Sequence, residues 1–218
     1  NAPHTPLQAK QSDMDMFPLL TGDRKTYAGM VWALDRGVSN LVHTLQANGQ
    51  FDNTLIVFLS DNGGRTDQGA VNLPLRGVKG DVWEGGFRVP MFMHLPNVIP
   101  AGQKYDHPVS ALDFYPTFTR LAGATIPPGK IVEGKDIWDD IVLTRDARPG
   151  QSIYAVRYNV GYGSTGATQV GIRRDQWKAT RTLGSPWRLY NIVSDIGETT
   201  DLSATYPTIL SNMVRDAE

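Results

Sequence analysis

The chain of 218 residues contains no cysteine, which excludes disulfides, thiolate metal ligands and a cysteine nucleophile. It lacks an excess of either charge, with 21 basic against 22 acidic side chains. Net charge therefore gives no argument for a nucleic acid or a membrane surface as partner. No apolar run approaches the roughly 18 residues needed to cross a bilayer. The opening Asn1-Ala2-Pro3-His4 has neither the charged nor the apolar region of a secretory signal. A soluble chain is expected, with its compartment unmarked. Repeats and low-complexity segments are also missing. The length suffices for a real core and implies one large domain or one and a half.

What is present begins with a change of texture near Lys25. Up to that point Pro, Gln, Asp and Met occur without a period, and an extended loop is expected. Tyr27, Met30, Val31, Leu34, Val38, Leu41, Val42 and Leu45 then recur at spacings of three and four, one face of an amphipathic helix closed by Asn48-Gly49. A short turn leads to Leu55-Ile56-Val57-Phe58-Leu59, apolar on both faces, the pattern of a central parallel strand covered by helices. Val89 to Leu95 is a second short strand, and Asp113-Phe114-Tyr115-Pro116 starts a helix that ends near Ala122-Gly123. Beyond about Thr144 come four short alternating strands, Ser152 to Tyr158, Gln169 to Arg174, Trp177 to Thr182 and Arg188 to Ile192, and a helix from about Thr208 to the end. The expectation is an α/β part over 1–144 and a small α+β subdomain over 145–218, with an antiparallel sheet and a C-terminal helix.

The first strand stops at Ser60-Asp61-Asn62-Gly63-Gly64. Ligands of open α/β sheets sit at the carboxyl ends of strands, and Asp61 with Asn62 offers two hard oxygen donors of the kind Ca²⁺ or Mg²⁺ prefers. The same tetrapeptide is also a good turn, and alone it favours that plainer reading. The following "NLPLRGVKGDVWEGGFRVP" places Arg76 and Lys79 in a glycine-rich loop. A lysine beside a divalent cation suits an anionic substrate. The alternative is a solvated loop with ordinary surface cations, which seldom needs so many glycines.

The stretch "YAGMVWALDRGVSNLVHTLQANGQFDNTLIVFLSDNGG", followed by "NLPLRGVKGDVWEGGFRVP", closely resembles the type I sulfatases of the alkaline-phosphatase-like superfamily. "LDFYPTFTRLAG", "VEGKDIW" and "WRLYNIVSDIGETTDLSATYP" resemble that family's later motifs, in the same order. The wording is most like arylsulfatase B, the N-acetylgalactosamine-4-sulfatases, and bacterial relatives. The resemblance implies an alkaline-phosphatase-like sheet flanked by helices, with Asp61 and Asn62 as calcium ligands. It also implies that Lys79 and His4 hold the sulfate and act in catalysis, His4 protonating the leaving oxygen. Arg76 and Asn72 are weaker candidates for bracing the loop or reaching substrate. His43, His94 and His107 receive no role.

The pattern is incomplete. The family's nucleophile is a formylglycine made in a C/S-x-P-x-R motif, and Ser185-Pro186-Trp187-Arg188 has Pro and Arg one place too early. The N-terminal aspartate pair and the Lys-x-His of the family are also absent. This chain is therefore expected to be the C-terminal portion of a sulfatase, its other half missing, cleaved or on another chain. Two ligands leave calcium far short of its 6 to about 8 oxygens, and uncovered apolar faces would favour the missing half or self-association. The implied substrates are sulfated carbohydrates or aryl sulfates, and the implied compartment is periplasmic or secreted, with lysosomal as the other option. Two further readings stand beside this one: a non-catalytic remnant of the fold, and a phosphoesterase of the same superfamily.

Overall fold

The computed structural model describes residues 2–158 and 167–215. It comprises two compact units, Asn1–Asn97 with Asp195–Thr199, and Val98–Ser194 with Thr200–Glu218. The fold is α/β. The boundary expected near residue 144 falls inside the second unit, and the segment Asp195–Thr199 returns to the first.

The first unit holds α1 (Gln11–Met14), α2 (Gly22–Ala47), β1 (Ile56–Leu59), α3 (Glu84–Phe87) and β2 (Met91–His94). Helix α2 ends where Gly49, at φ 65, allows the Gly49 and Gln50 amides to bond back to the Gln46 and Leu45 carbonyls. The residues expected as an N-terminal loop instead form α1 and the first turn of α2. Asp13 of α1 is buried and takes both guanidinium arms of Arg36 from α2. Those hydrogen bonds hold its carboxyl below the usual carboxylate range.

Strand β1 departs from the expected central parallel strand. Among the described residues its partner is β2, antiparallel, with Phe58 opposite Phe92 and Ile56 opposite His94. Its side chains are half-buried to exposed, and Phe92 keeps 49% of its surface open. An unbroken apolar run reports that both faces suit burial, but parallel or antiparallel pairing depends on a neighbour that periodicity does not name. The apolar stripe of α2 is likewise only partly covered, with Val31, Leu34 and Leu41 exposed.

The second unit holds α4 (Phe114–Leu121), α5 (Trp138–Val142), β3 (Ile153–Tyr158), β4 (Ala167–Arg174), β5 (Trp177–Thr182), β6 (Arg188–Asn191) and α6 (Pro207–Arg215). Strands β3 to β6 form an antiparallel meander in chain order. Asp175, at φ 47, and Gln176 make the two-residue turn between β4 and β5. Met213 of α6 closes over Ile172, Ala179 and Leu189. The expected C-terminal helix is present to Arg215; residues 216–218 lie outside those described. Helix α5 was not legible as an element in the sequence pattern.

Before α4, Asp113 is fully buried and does three tasks. Its carboxylate accepts from the Ser110 amide and the Lys135 amide, both at 2.9 Å, and takes a two-armed ion pair from buried Arg148. Removing one partner of a buried pair strands the other charge. Asp113→Ala is expected to cost about 3–5 kcal/mol, read as a lower denaturation midpoint with an unchanged slope.

Candidate functional site

The end of β1 is drawn into the β2 side of the sheet by one further bond, the Ser60 amide donating to the Pro90 carbonyl at 3.2 Å. From there the chain runs as Asp61-Asn62-Gly63-Gly64 against two other backbone segments. The Gly63 amide donates to the Gly86 carbonyl at 2.8 Å, and the Gly85 amide to the Arg76 carbonyl at 2.6 Å. The Lys79 amide donates to the Gly64 carbonyl at 3.2 Å. Three loops are thus joined backbone to backbone.

Glycine is required for that approach. A Cβ on Gly63 would collide with the Gly85 carbonyl, and one on Gly85 would lie 2.6 Å from the Arg76 carbonyl. Gly80 serves differently: at φ 91 it is the third residue of the turn Val78–Asp81, closed by the Asp81 amide on the Val78 carbonyl at 2.9 Å. Such a turn needs positive φ at that place. Lys79 therefore stands at the turn's second position.

Asn72 fastens the loops together. Its amide nitrogen donates to the Gly64 carbonyl at 2.8 Å and the Gly77 carbonyl at 3.0 Å, and its oxygen accepts from the Gly64 amide at 2.9 Å. Both of its side-chain donors are engaged by backbone. Arg76 lies over the Trp83 ring, 3.7 Å from the centroid, and donates to the Glu198 carbonyl at 2.9 Å. The geometry gives both residues bracing tasks.

The remaining candidates differ in their surroundings. Asp61 is exposed, and its carboxylate makes no hydrogen bond or ion pair with a described residue. Asn62 is half-buried and donates to the Gly63 carbonyl at 3.0 Å, which leaves its side-chain oxygen as a possible donor to a cation. Lys79 is half-buried, and its ammonium is unpaired among the described residues. Asp67, six residues beyond Asp61, is held by Arg65, whose hydrogen bonds keep its carboxyl low. His4 is exposed, and its Nδ1 lies 2.9 Å from the Thr5 carbonyl. With Nδ1 donating there, Nε2 is the ring nitrogen open to a ligand. Among the described bonds, the Lys79 amide is joined to Gly64, two residues beyond Asn62; none joins His4 to this loop.

Asp61 and Asn62 fit a hard cation by chemistry. Among the described residues no group of three or more His, Asp or Glu could hold a metal, so these two alone would supply only part of the shell that a calcium ion needs.

Residues 1–124 match the family described as Sulfatase, and residues 79–214 match N-sulphoglucosamine sulphohydrolase, C-terminal. The chain belongs to the sulfatase family. Arylsulfatase J of Mus musculus is 31% identical, over 98% of this chain and 43% of that protein. The crystal structure of Ps i-CgsB in complex with k-i-k-neocarrahexaose is 48% identical with a TM-score of 0.93, over 100% of this chain and 47% of that one. PsFucS1 sulfatase from Pseudoalteromonas sp. shares the fold, with a TM-score of 0.83 at 22% identity. The chain spans less than half the length of these sulfatase relatives.

The parts played by Glu198 and Trp83 escaped the sequence reading, whereas bracing was one of the two roles expected of Asn72. Gly85-Gly86 was the available signal for a close approach; nothing local marks Glu198. Gly63→Ala is expected to destabilise far more than Gly80→Ala, because the first collides with a backbone oxygen and the second meets open space. For Gly80→Ala the cost is about 1–2 kcal/mol of left-handed strain, and paired denaturation curves compare the two.

Proposed function

We propose that this chain forms the C-terminal portion of a sulfatase that hydrolyses sulfate esters on a carbohydrate. The observation that carries the reading is the placement of Lys79. Its unpaired ammonium stands on a turn whose amide is bonded to the loop bearing Asp61 and Asn62. In this reading Lys79 faces the sulfuryl oxygens and offsets the charge that grows on them. Asp61 and Asn62 would hold Ca²⁺ together with ligands from outside this chain, and the ion would supply positive charge toward the ester oxygens. His4 protonates the bridging oxygen as the S–O bond breaks, so that it leaves as an alcohol. Formylglycine, with no motif for it in these 218 residues, would come from the other half.

The oligosaccharide bound by Ps i-CgsB, the relative at 48% identity, supports a sugar over a simple aryl group. The exposed stripe of α2 and the open face of Phe92 suit cover by further polypeptide, and we assign that cover to the missing half. No helix among the described residues is long and apolar enough to cross a membrane, and a periplasmic or secreted setting is part of the proposal. The second reading, a non-catalytic remnant, draws on the absent nucleophile motif alone.

In the complete enzyme, Lys79→Ala is expected to lower kcat for sulfate release from a sulfated oligosaccharide by about 10²–10³-fold with little change in unfolding temperature. Full turnover in that variant returns Lys79 to an ordinary loop. Asp61→Ala is expected to weaken Ca²⁺ binding in a calorimetric titration, independently of turnover; unchanged affinity removes Asp61 from the metal.

A further inference from the structure

The returning segment Asp195–Thr199 makes a tight turn within the first unit. The Glu198 amide donates to the Asp195 carbonyl at 3.1 Å, and the Asp195 carboxylate accepts from the Thr199 amide at 2.8 Å and its hydroxyl at 2.9 Å. Glu198 at the turn has φ 52, a region where side chains other than glycine are uncommon. A glutamate persists there only when its surroundings over-determine it. The surroundings are specific. Glu198 is 0% exposed, its Oε2 accepts from the Glu84 amide at 2.8 Å, and its carbonyl accepts from the Arg76 guanidinium at 2.9 Å.

Those two contacts fall on either side of Lys79. Arg76 precedes it by three residues and Glu84 follows it by five. Between them runs the turn Val78–Asp81, with the Val78 amide also held by the Asp81 carboxylate at 3.0 Å. Arg76 cannot shift without leaving the Trp83 ring and pulling its own carbonyl off the Gly85 amide. A single residue, more than 110 positions downstream, therefore closes both ends of the loop that presents the lysine.

We propose that Glu198 is a positioning residue for sulfate-ester hydrolysis, clasping the segment 76–84 so that the Lys79 ammonium is held where the reacting group needs it. The proposal rests on the reading of Lys79 given above. Its physical basis is that charge stabilisation in a transition state depends on placement, a misplacement of about 1 Å costing as much as 10²-fold. Asn72 secures the opposite edge of the same loop through Gly64 and Gly77, so the clasp and the brace together leave the side chain of Lys79 as the moving part.

The test uses the complete enzyme and two readouts. Hydrogen exchange over residues 76–86 is expected to quicken in Glu198→Ala and to return near the parent level in Glu198→Gln, whose side-chain oxygen still accepts from the Glu84 amide. In parallel, Glu198→Ala is expected to lower kcat about tenfold while KM stays within about twofold. Placed on Lys79→Ala it should add no more than about a twofold loss, since residues acting through one another do not add. Equal losses in both backgrounds, unchanged exchange, or a Gln variant as impaired as Ala would each overturn the proposal. If Lys79→Ala itself leaves turnover intact, the reading of Lys79 fails, and the exchange data alone judge the clasp. Should Glu198→Ala not fold, Arg76→Lys keeps the charge and loses the planar stack: quickened exchange at 76–86 supports the clasp, and unchanged exchange sinks it.

Discussion

The site depends on three stretches of main chain lying closer together than side chains permit. Gly63 and Gly64 face Gly85, Gly86, Ala70 and Asn72, and Gly85 faces the carbonyls of Arg76 and Gly77. Each glycine loses more conformational freedom on folding than another residue would. The compensation is direct pairing of backbone amides and carbonyls that would otherwise be desolvated without partners. Because the contact is made by backbone, it fixes where the next side chains begin. Asp61 is three residues from Gly64, about 11 Å of chain at most, and Lys79 starts at the Gly64 carbonyl. Two charged groups eighteen residues apart thus start from backbone positions that the glycines hold close.

The two units are stabilised differently. In the second, Ile137, Trp138, Ile141, Ile172, Leu189, Tyr190 and Met213 are buried, and the small sheet has α6 over its apolar side. In the first, the buried apolar side chains are Ala28, Met30, Ala70 and Val82. Larger ones on α2 and the β1–β2 pair stay open, Leu41 at 56% among them. At about 25 cal/mol per Å² of apolar area, that exposed stripe is free energy the unit does not collect by itself. The polar bonds of the glycine loops, the Asp13–Arg36 pair and the Glu198 clasp thus carry a larger share of order there.

Legibility in the sequence followed the range of the causes. The period of α2 and the alternation of β4 and β5 are set within a few residues, and each stands where the pattern put it. The pairing of β1 was misread because an apolar run states burial and not neighbours. Helix α5 is a five-residue element, too short to show a period. At the site, Asp61, Asn62 and Lys79 stood out by their motifs, and the structure bonds the Lys79 amide to Gly64, two residues beyond Asn62. Asn72 and Arg76 carry donors that suit a ligand as well as they suit a carbonyl, and composition does not separate the two uses. Glu198 was invisible because its partners are over a hundred residues away and its turn is made by an acid where a glycine would be expected.

Among the described residues, the unpaired state of Asp61 and Lys79 is the electrostatic feature that most needs a reason. The same loop shows that ion pairing is available, since Arg65 and Asp67 pair at once across two residues. Exposed pairs yield only about 0–1 kcal/mol, so leaving Asp61 and Lys79 apart costs the fold little. An anionic ester brought to Lys79 would nevertheless meet the carboxylate of Asp61 within a few residues' reach, and the two negative groups would repel. A hard cation held by Asp61 and the Asn62 oxygen would reverse that sign. On the proposed reading, a cation at Asp61 would let the acid and the lysine serve the same anion, because it would reverse the sign that Asp61 presents.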